Sequence, residues 1–245
     1  MIIDILTLFK DCIDSYLNSS IIKRAIESGK VTINVIDYRE FAQNKSKRVD
    51  DYSYGGGAGM IIEVDPIVRA LRSIPGYDKA RKIITSPAGK KYDQKYAKEL
   101  SKEEHIIIVC GHYEGIDDRI MNYLDEAISI GDYVLTGGEL AGMAIADSVV
   151  RLLPDVISSD SIEEESFENS LLEYPQYTRP VEFEGYKVPD VLISGNHENI
   201  RKWRRFMSLK NTYHNRPDLL EKATLTKEDI KFLELIKNNI DLEIK

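Results

Sequence analysis

The side chains best suited to chemistry lie in two short glycine-bearing loops. Residues 111–115 read GHYEG, and residues 136–139 read TGGE. Glu114 and Glu139 are candidates for acid–base catalysis, because a carboxyl group can accept or donate a proton when its surroundings tune its pKa. The glycines let the backbone approach a bound molecule closely. Both loops are therefore predicted to contact a ligand.

Further acidic candidates flank a glycine-rich run. Asp50 precedes residues 55–59, of which four of five are glycine, so this run is not expected to form regular structure. The aspartates and tyrosines before it favour close approach to a ligand over a mobile linker. The run lacks the Lys-Ser/Thr of a P-loop and the spacing of a dinucleotide fingerprint. Residues 158–166 are acidic and serine-rich, and composition alone favours a solvated hinge there.

Arg151 is the unusual cation of the chain. It lies in residues 140–153, where the other polar side chains are Asp147 and Ser148. A guanidinium on so apolar a segment needs a partner or a cavity. The spacing leaves two interpretations open, an ion pair with Asp147 four residues earlier and a clamp for an anion.

A metal site is not predicted. The four histidines lack HxxxH or HxH spacing, and the two cysteines form no CxxC motif.

Buried strands are expected to position the two loops. Apolar residues 106–110 and 127–135 precede them, and parallel strands carry ligand sites at their carboxyl ends. We therefore expect both loops to line one pocket. Other predicted strands are residues 1–9, 31–37 and 81–85, and predicted helices are 21–28, 66–73 and 93–100. This alternation predicts an α/β fold with an open parallel sheet.

Composition narrows the class of protein. The chain has 245 residues and a net charge of −8, which fits a soluble globular protein and disfavours a general nucleic-acid coat. The absence of a signal-like start and of a membrane-length apolar run leads us to expect a cytosolic protein without a membrane span.

The last fifty residues differ in charge from the rest. They are predicted to be helical, and residues 196–216 hold six Lys or Arg against one Glu. Aromatic residues lie among these cations, a mixture that suits phosphate contact and base stacking. We interpret Trp203 and Phe206 as core residues and the arginines as nucleic-acid contacts. Thr226 and Asp229 have the spacing of a capping box that begins a final helix.

Five separated segments resemble the bacterial tRNA (guanine-N1)-methyltransferases of the SPOUT class. They are residues 50–60, 110–117, 130–140, 174–180 and 189–197, in the order and at the spacing of that family. The resemblance covers nearly the whole chain.

The resemblance implies a fold and an assembly. It implies a SPOUT-type parallel sheet with a deep C-terminal trefoil knot over residues 1–157, an interdomain flap over 158–172, and a small helical tRNA-binding domain over 173–245. It also implies a homodimer whose active site lies at the subunit interface.

The resemblance implies S-adenosylmethionine as the methyl donor. On matching positions, the implied cofactor-binding residues are Ser86, Pro87, Gly111, Ile130, Gly131, Tyr133, Leu135, Gly137 and Gly138. The implied tRNA-binding residues are Asp50, Tyr113, Glu114, Arg201 and Arg204.

The implied reaction methylates N1 of guanosine 37, beside the anticodon and preceded by another guanosine. A flap carboxylate would take the N1 proton, and Arg151 would stabilise the charge that develops on O6. The matching flap position is Glu165, where the family usually has Asp, and Asp160 or Glu164 could serve if the register slips. The family also implies Mg²⁺ as a reaction aid.

Two other functions are compatible with parts of the sequence. One is a related RNA methyltransferase with another base or a ribose 2′-hydroxyl as its target, and the other is an RNA-binding factor without activity. A ribose target needs no base acting on a ring N–H, so Glu165 and Arg151 favour the guanine enzyme. A pure binder needs no cofactor slot, so both glycine loops favour an enzyme.

Overall fold

A computed structural model describes residues 1–158, 166–167 and 170–242. The chain divides into two compact units, Met1–Ile157 and Ser158–Lys245, and each is described by itself.

The N-terminal unit is built on a five-stranded sheet in which every strand pair is parallel. The strands of the unit are β1 (Ile2–Thr7), β2 (Thr32–Asp37), β3 (Asp50–Asp51), β4 (Ile61–Ile62), β5 (Arg81–Lys91), β6 (His105–Cys110) and β7 (Glu126–Ser129). Their order in the sheet is β2-β1-β6-β5-β7, and β3 and β4 form a separate antiparallel ribbon. The predicted α/β fold with a parallel central sheet is confirmed.

Helices cover both faces of the sheet. They are α1 (Lys10–Leu17), α2 (Ser20–Glu27), α3 (Val64–Ser73), α4 (Gln94–Leu100) and α5 (Glu139–Val150), with 3₁₀ turns at Tyr38–Phe41 and Asp118–Tyr123. Ile106 and Ile108 of β6 pack with α1, α2, α4 and α5 on one face. Ile107 and Val109 point the other way and pack with α3. β6 is therefore buried on both faces, which explains why its sequence is a continuous apolar run.

Three strands differ from their predicted lengths, and one helix was not predicted. β1 was predicted over residues 1–9 and is found over Ile2–Thr7. β5 continues to Lys91 past a register shift between Thr85 and Lys90, so residues 86–89 bulge from the ladder instead of ending it. β7 ends at Ser129, and the chain bends over residues 130–133 directly after it. Helix α1 was not predicted, because the polar residues Asp11, Asp14 and Ser15 interrupt its apolar periodicity.

The C-terminal unit is mainly helical. It contains α6 (Asp190–Ile193), α7 (His197–Asn215), α8 (Pro217–Leu220), α9 (Lys227–Lys237) and a hairpin of β8 (Glu182–Phe183) and β9 (Tyr186–Lys187). Phe206 of α7 packs edge-to-face on Phe232 of α9, with ring centroids 5.7 Å apart, in a small core. The predicted capping box is confirmed, since Thr226 and Asp229 exchange side-chain-to-backbone hydrogen bonds. Within the described residues, we find no helix with the length and apolar character that a bilayer span requires.

Candidate active site

A cavity of about 610 Å³ opens at the carboxyl ends of β6 and β7, beside the bulge of β5. Both glycine loops line it, so the expectation that they share one pocket is confirmed. The third wall is the bulge of β5, where Ser86, Pro87 and Ala88 leave the sheet. The position follows from the topology, because the carboxyl ends of adjacent parallel strands meet at one edge.

The lining contains every residue that the resemblance implied for the cofactor. These are Ser86, Pro87, Gly111, Ile130, Gly131, Tyr133, Leu135, Gly137 and Gly138. Tyr113 and Glu114, two of the implied tRNA-binding residues, line the same cavity. Tyr113 has a φ of +58°, an unusual value for a side chain of its size.

A tight backbone contact joins the two loops. The Gly138 amide donates to the Gly111 carbonyl over 2.7 Å, and His112 and Gly137 form an antiparallel bridge. A Cβ on Gly138 would overlap the Thr85 hydroxyl and lie 2.9 Å from the Gly111 amide nitrogen. Position 138 therefore requires glycine, and the absence of a side chain leaves its backbone against the cavity.

The glycine-rich run packs against the first loop. The Glu114 amide donates to the Met60 carbonyl over 3.1 Å. Gly59 has a φ of +80°, and a Cβ there would overlap the Glu114 side chain. The run thus permits a close approach, as the sequence suggested, but its neighbour is Glu114. The sequence offered no signal for this contact, because it depends on the pairing of Ile62 with Ile116, which only the structure reveals.

Glu139, the second acid–base candidate, turns away from the cavity lining. It is 7% exposed and accepts a hydrogen bond of 2.8 Å from the Thr7 hydroxyl. Burial raises the pKa of Tyr38 well above its usual value, and the nearby Glu139 charge raises it further. Burial likewise raises the pKa of the Cys110 thiol, again with a contribution from Glu139.

The remaining candidates of the N-terminal unit lie outside the cavity lining. Arg151 is half-buried and ends α5, where its amide donates to the Asp147 carbonyl over 3.0 Å. Asp50 lies in β3, with its carboxylate 3.8 Å from Arg48 Nε. The flap candidates Asp160, Glu164 and Glu165 lie outside the described residues.

The two arginines implied to bind tRNA have partners within the C-terminal unit. Arg201 forms ion pairs with Glu198 at 2.9 Å and with Glu228 at 3.1 Å. The Arg204 guanidinium lies 4.9 Å from the centre of the Tyr174 ring. The core prediction for Phe206 is confirmed by its 2% exposure, whereas Trp203 is half-buried and contacts Tyr177.

The described residues contain no group of three or more His, Cys, Asp or Glu side chains able to hold a metal ion, so we assign no step to Mg²⁺. The cavity does fit S-adenosylmethionine. Its volume lies within the roughly 300–1,000 Å³ of small-molecule sites. The bare backbone at Gly138 and the apolar side chains of Ile130 and Leu135 match a ligand with both polar edges and an apolar ring face.

Comparison with known proteins identifies the relatives of the chain. The profile of the family described as tRNA (Guanine-1)-methyltransferase TrmD matches residues 1–222. A tRNA (guanine-N(1)-)-methyltransferase of Dictyoglomus turgidum is 51% identical over 243 residues, which cover 99% of each chain. Proteins of the same name from Caldicellulosiruptor saccharolyticus and Clostridium perfringens are 54% and 55% identical over 95% and 96% of this chain, and over 96% and 99% of their own length.

Proposed function

The chain belongs to the tRNA (Guanine-1)-methyltransferase TrmD family, and from this premise we propose that it methylates N1 of guanosine 37 in tRNAs where another guanosine precedes it. The methyl donor is S-adenosylmethionine, and the reaction takes place in the cytoplasm. The observation that carries the proposal is the common cavity, since nine residues matched to the family's cofactor site line one space of suitable size.

Different residues of the cavity would bind different parts of the cofactor. Backbone groups of Gly111, Gly137 and Gly138 would bind its polar edges, because no side chain covers them. Ile130, Gly131, Tyr133 and Leu135 belong to the loop after β7 and would enclose the adenine, while Ser86 and Pro87 of the β5 bulge close the other wall. The bound cofactor supplies a methyl group on a positively charged sulfur.

Two side chains would act on the guanine. N1 of neutral guanine carries a proton, and Glu165 would accept it as the new bond forms. Negative charge then gathers on O6, where the Arg151 guanidinium would stabilise it. A well-placed base is worth about 10²–10⁴ in rate. A charged donor aimed at a developing oxyanion contributes a similar factor, about 10²–10³.

Asp50, Tyr113 and Glu114 would bind the target and its neighbouring nucleotides, and Arg201 and Arg204 would contact the anticodon stem-loop. Glu114 is supported by its place in the cavity lining beside the glycine-rich run. Arg201 would have to exchange its ion pairs with Glu198 and Glu228 for a phosphate. Such exposed pairs contribute only about 0–1 kcal/mol, so the exchange is feasible.

A trefoil knot in residues 1–157 is supported by the path of the chain. After β7, at an edge of the sheet, the loop returns to Gly111 at the end of β6, and α5 then packs on β1 and β6. We further propose that residues 158–172 form the flap that carries the base, and that residues 173–245 form the tRNA-binding domain.

The proposed homodimer has its active site at the subunit interface. Large apolar side chains stay exposed beside the cavity, including Val134 at 84% and Leu140 at 57%. Tyr54, directly before the glycine-rich run, is fully exposed. A second copy of the chain would remove this apolar surface from water.

Methyl transfer to defined tRNAs tests the proposal. The protein is incubated with methyl-labelled S-adenosylmethionine and two transcripts that differ only in guanosine or adenosine at position 37. We expect label in the guanosine transcript alone, at N1 after nucleoside digestion. Equal labelling of both transcripts, or of neither, would refute the proposal, and label on a ribose would identify the alternative RNA methyltransferase.

A further inference from the structure

The carboxylate of Glu139 links three segments at the carboxyl edge of the sheet. Glu139 is the first residue of α5, directly after the Gly137–Gly138 turn. Its Oε1 accepts the 2.8 Å hydrogen bond from Thr7, the last residue of β1. The Thr7 hydroxyl also accepts from the Phe9 amide over 2.9 Å. The turn is thereby attached to β1, an interior strand of the sheet.

The second carboxylate oxygen faces the other loop. Glu139 Oε2 lies 4.0 Å from His112 Nδ1, which has no hydrogen-bond partner among the described residues. A Cβ on Gly137 would overlap this oxygen and lie 2.6 Å from the His112 nitrogen. The side chains of Glu139 and His112 therefore both lie close to Gly137. Gly137 itself lines the cavity.

We propose that Glu139 is a positioning residue for cofactor binding, which holds the Gly137–Gly138 turn in place through Thr7 and His112. The inference rests on the proposed function, because it concerns the same cavity. Glu139 does not line that cavity, so it acts through the backbone of its two neighbours. A displaced turn would also displace Tyr133 and Leu135, which precede it in the same loop.

Two subtle substitutions isolate this role from helix stability. Glu139→Asp keeps a negative charge at the N-terminus of α5, where the helix dipole favours it, but its carboxylate ends one methylene short of Thr7. Thr7→Val keeps the shape of the side chain and removes the hydroxyl. Thr7→Ser restores the hydroxyl and serves as the conservative rescue.

The measurement is the dissociation constant of S-adenosylmethionine by titration calorimetry, on folded protein without tRNA. We expect Glu139→Asp and Thr7→Val to raise it by about 10- to 100-fold, by analogy with residues that orient metal ligands. Thr7→Ser should stay within about threefold of the parent. In steady state, the KM for the cofactor should rise and the KM for tRNA should not.

Glu126→Gln is the matched control. Glu126 is also a largely buried carboxylate, paired with Arg81 near the start of β5, and it does not line the cavity. This variant should lower thermal stability and leave cofactor affinity unchanged. Parental affinity in folded Glu139→Asp or Thr7→Val would overturn the positioning role, as would an equal loss in Glu126→Gln. If Thr7→Val does not fold, the cofactor affinity of Glu139→Asp alone tests the positioning role. Failure of the parent itself to bind the cofactor would instead overturn the proposed function.

Discussion

Replacing Gly138 by alanine tests whether the contact between the two loops shapes the cofactor site. The added methyl group would overlap the Thr85 hydroxyl, lie 2.9 Å from the Gly111 amide nitrogen and lie 3.0 Å from Cys110 Cα. A side-chain hydroxyl can rotate away, but the two backbone atoms belong to β6 and the loop that follows it. We therefore expect the Gly138 backbone to move and the 2.7 Å hydrogen bond to Gly111 to break.

The expected magnitude follows from two terms. Overpacking a close contact costs about 1–3 kcal/mol. Losing the hydrogen bond adds about 0.5–1.5 kcal/mol. The free energy of unfolding of the N-terminal unit should therefore fall by about 2–4 kcal/mol. This corresponds to a fall in Tm of roughly 4–16 °C for a unit of its size. A displacement near 1 Å at a binding backbone can cost about 100-fold, so we expect the dissociation constant for S-adenosylmethionine to rise about 10- to 100-fold.

Gly142→Ala is the matched control for this substitution. A Cβ on Gly142 would lie 2.7 Å from Cys110 Sγ, and neither residue lines the cavity. The crowding is offset by about 1 kcal/mol of helix propensity. Differential scanning calorimetry and titration calorimetry on both variants should show lower stability in each and weaker cofactor binding in Gly138→Ala alone. Parental Tm and parental affinity in Gly138→Ala would refute the reasoning, because the turn would then relax without cost.

Three further outcomes are expected. Arg151→Met keeps an unbranched side chain and removes the guanidinium, so it should lower the single-turnover methylation rate by about 10²–10³ without changing tRNA affinity, since only the charge on O6 loses its donor; an unchanged rate would exclude Arg151 from that role. Burial raises the pKa of Asp229, but the hydrogen bonds from Arg205 and Thr226 together outweigh it, so the folded pKa lies below the usual value. The stability from this pair should be complete above about pH 4 and be lost as pH falls through the lower folded value. Asp229→Asn should cost about 1–3 kcal/mol in unfolding experiments at neutral pH, and that difference should shrink in acid; a pH-independent difference would contradict the assignment. Because burial raises the pKa of the Cys110 thiol, iodoacetamide at pH 8 should modify the exposed Cys12 and spare Cys110, as peptide mass spectrometry would detect.

The site could be located from the sequence because two strong local signals coincide. Apolar runs such as residues 106–110 have too few polar groups for a surface strand, and glycines at their ends exclude a continuing strand. Parallel topology then brings such ends together, so one cavity lined by both loops was predictable. The register shift in β5 was not, because Ser86-Pro87-Ala88-Gly89 reads as the end of a strand, and only the pairing of Lys90 with Ile128 reveals its continuation.

The role of individual carboxylates could not be predicted from their neighbours in sequence. Glu114 and Glu139 both lie in glycine-bearing loops that follow apolar runs, so the sequence predicts the same acid–base role for each. Glu114 lines the cavity, whereas Glu139 is buried against Thr7, which lies 132 residues away in the chain. A long-range contact of this kind depends on the order of the strands in the sheet. That order cannot be predicted from the residues next to Thr7 or Glu139 in sequence.

The position of β1 between β2 and β6 has a consequence for synthesis on the ribosome. β1 is made first, and β2 soon covers one of its edges, but its other partner is β6. Roughly 100 residues separate β1 from β6, so at about 5–20 residues per second the nascent chain waits about 5–20 s with one edge of β1 unpaired. One face of β1 is completed later still, when α5 emerges to pack beside α1 and α2. A slow-translating stretch before β6 would therefore lengthen the period in which the nascent protein can aggregate.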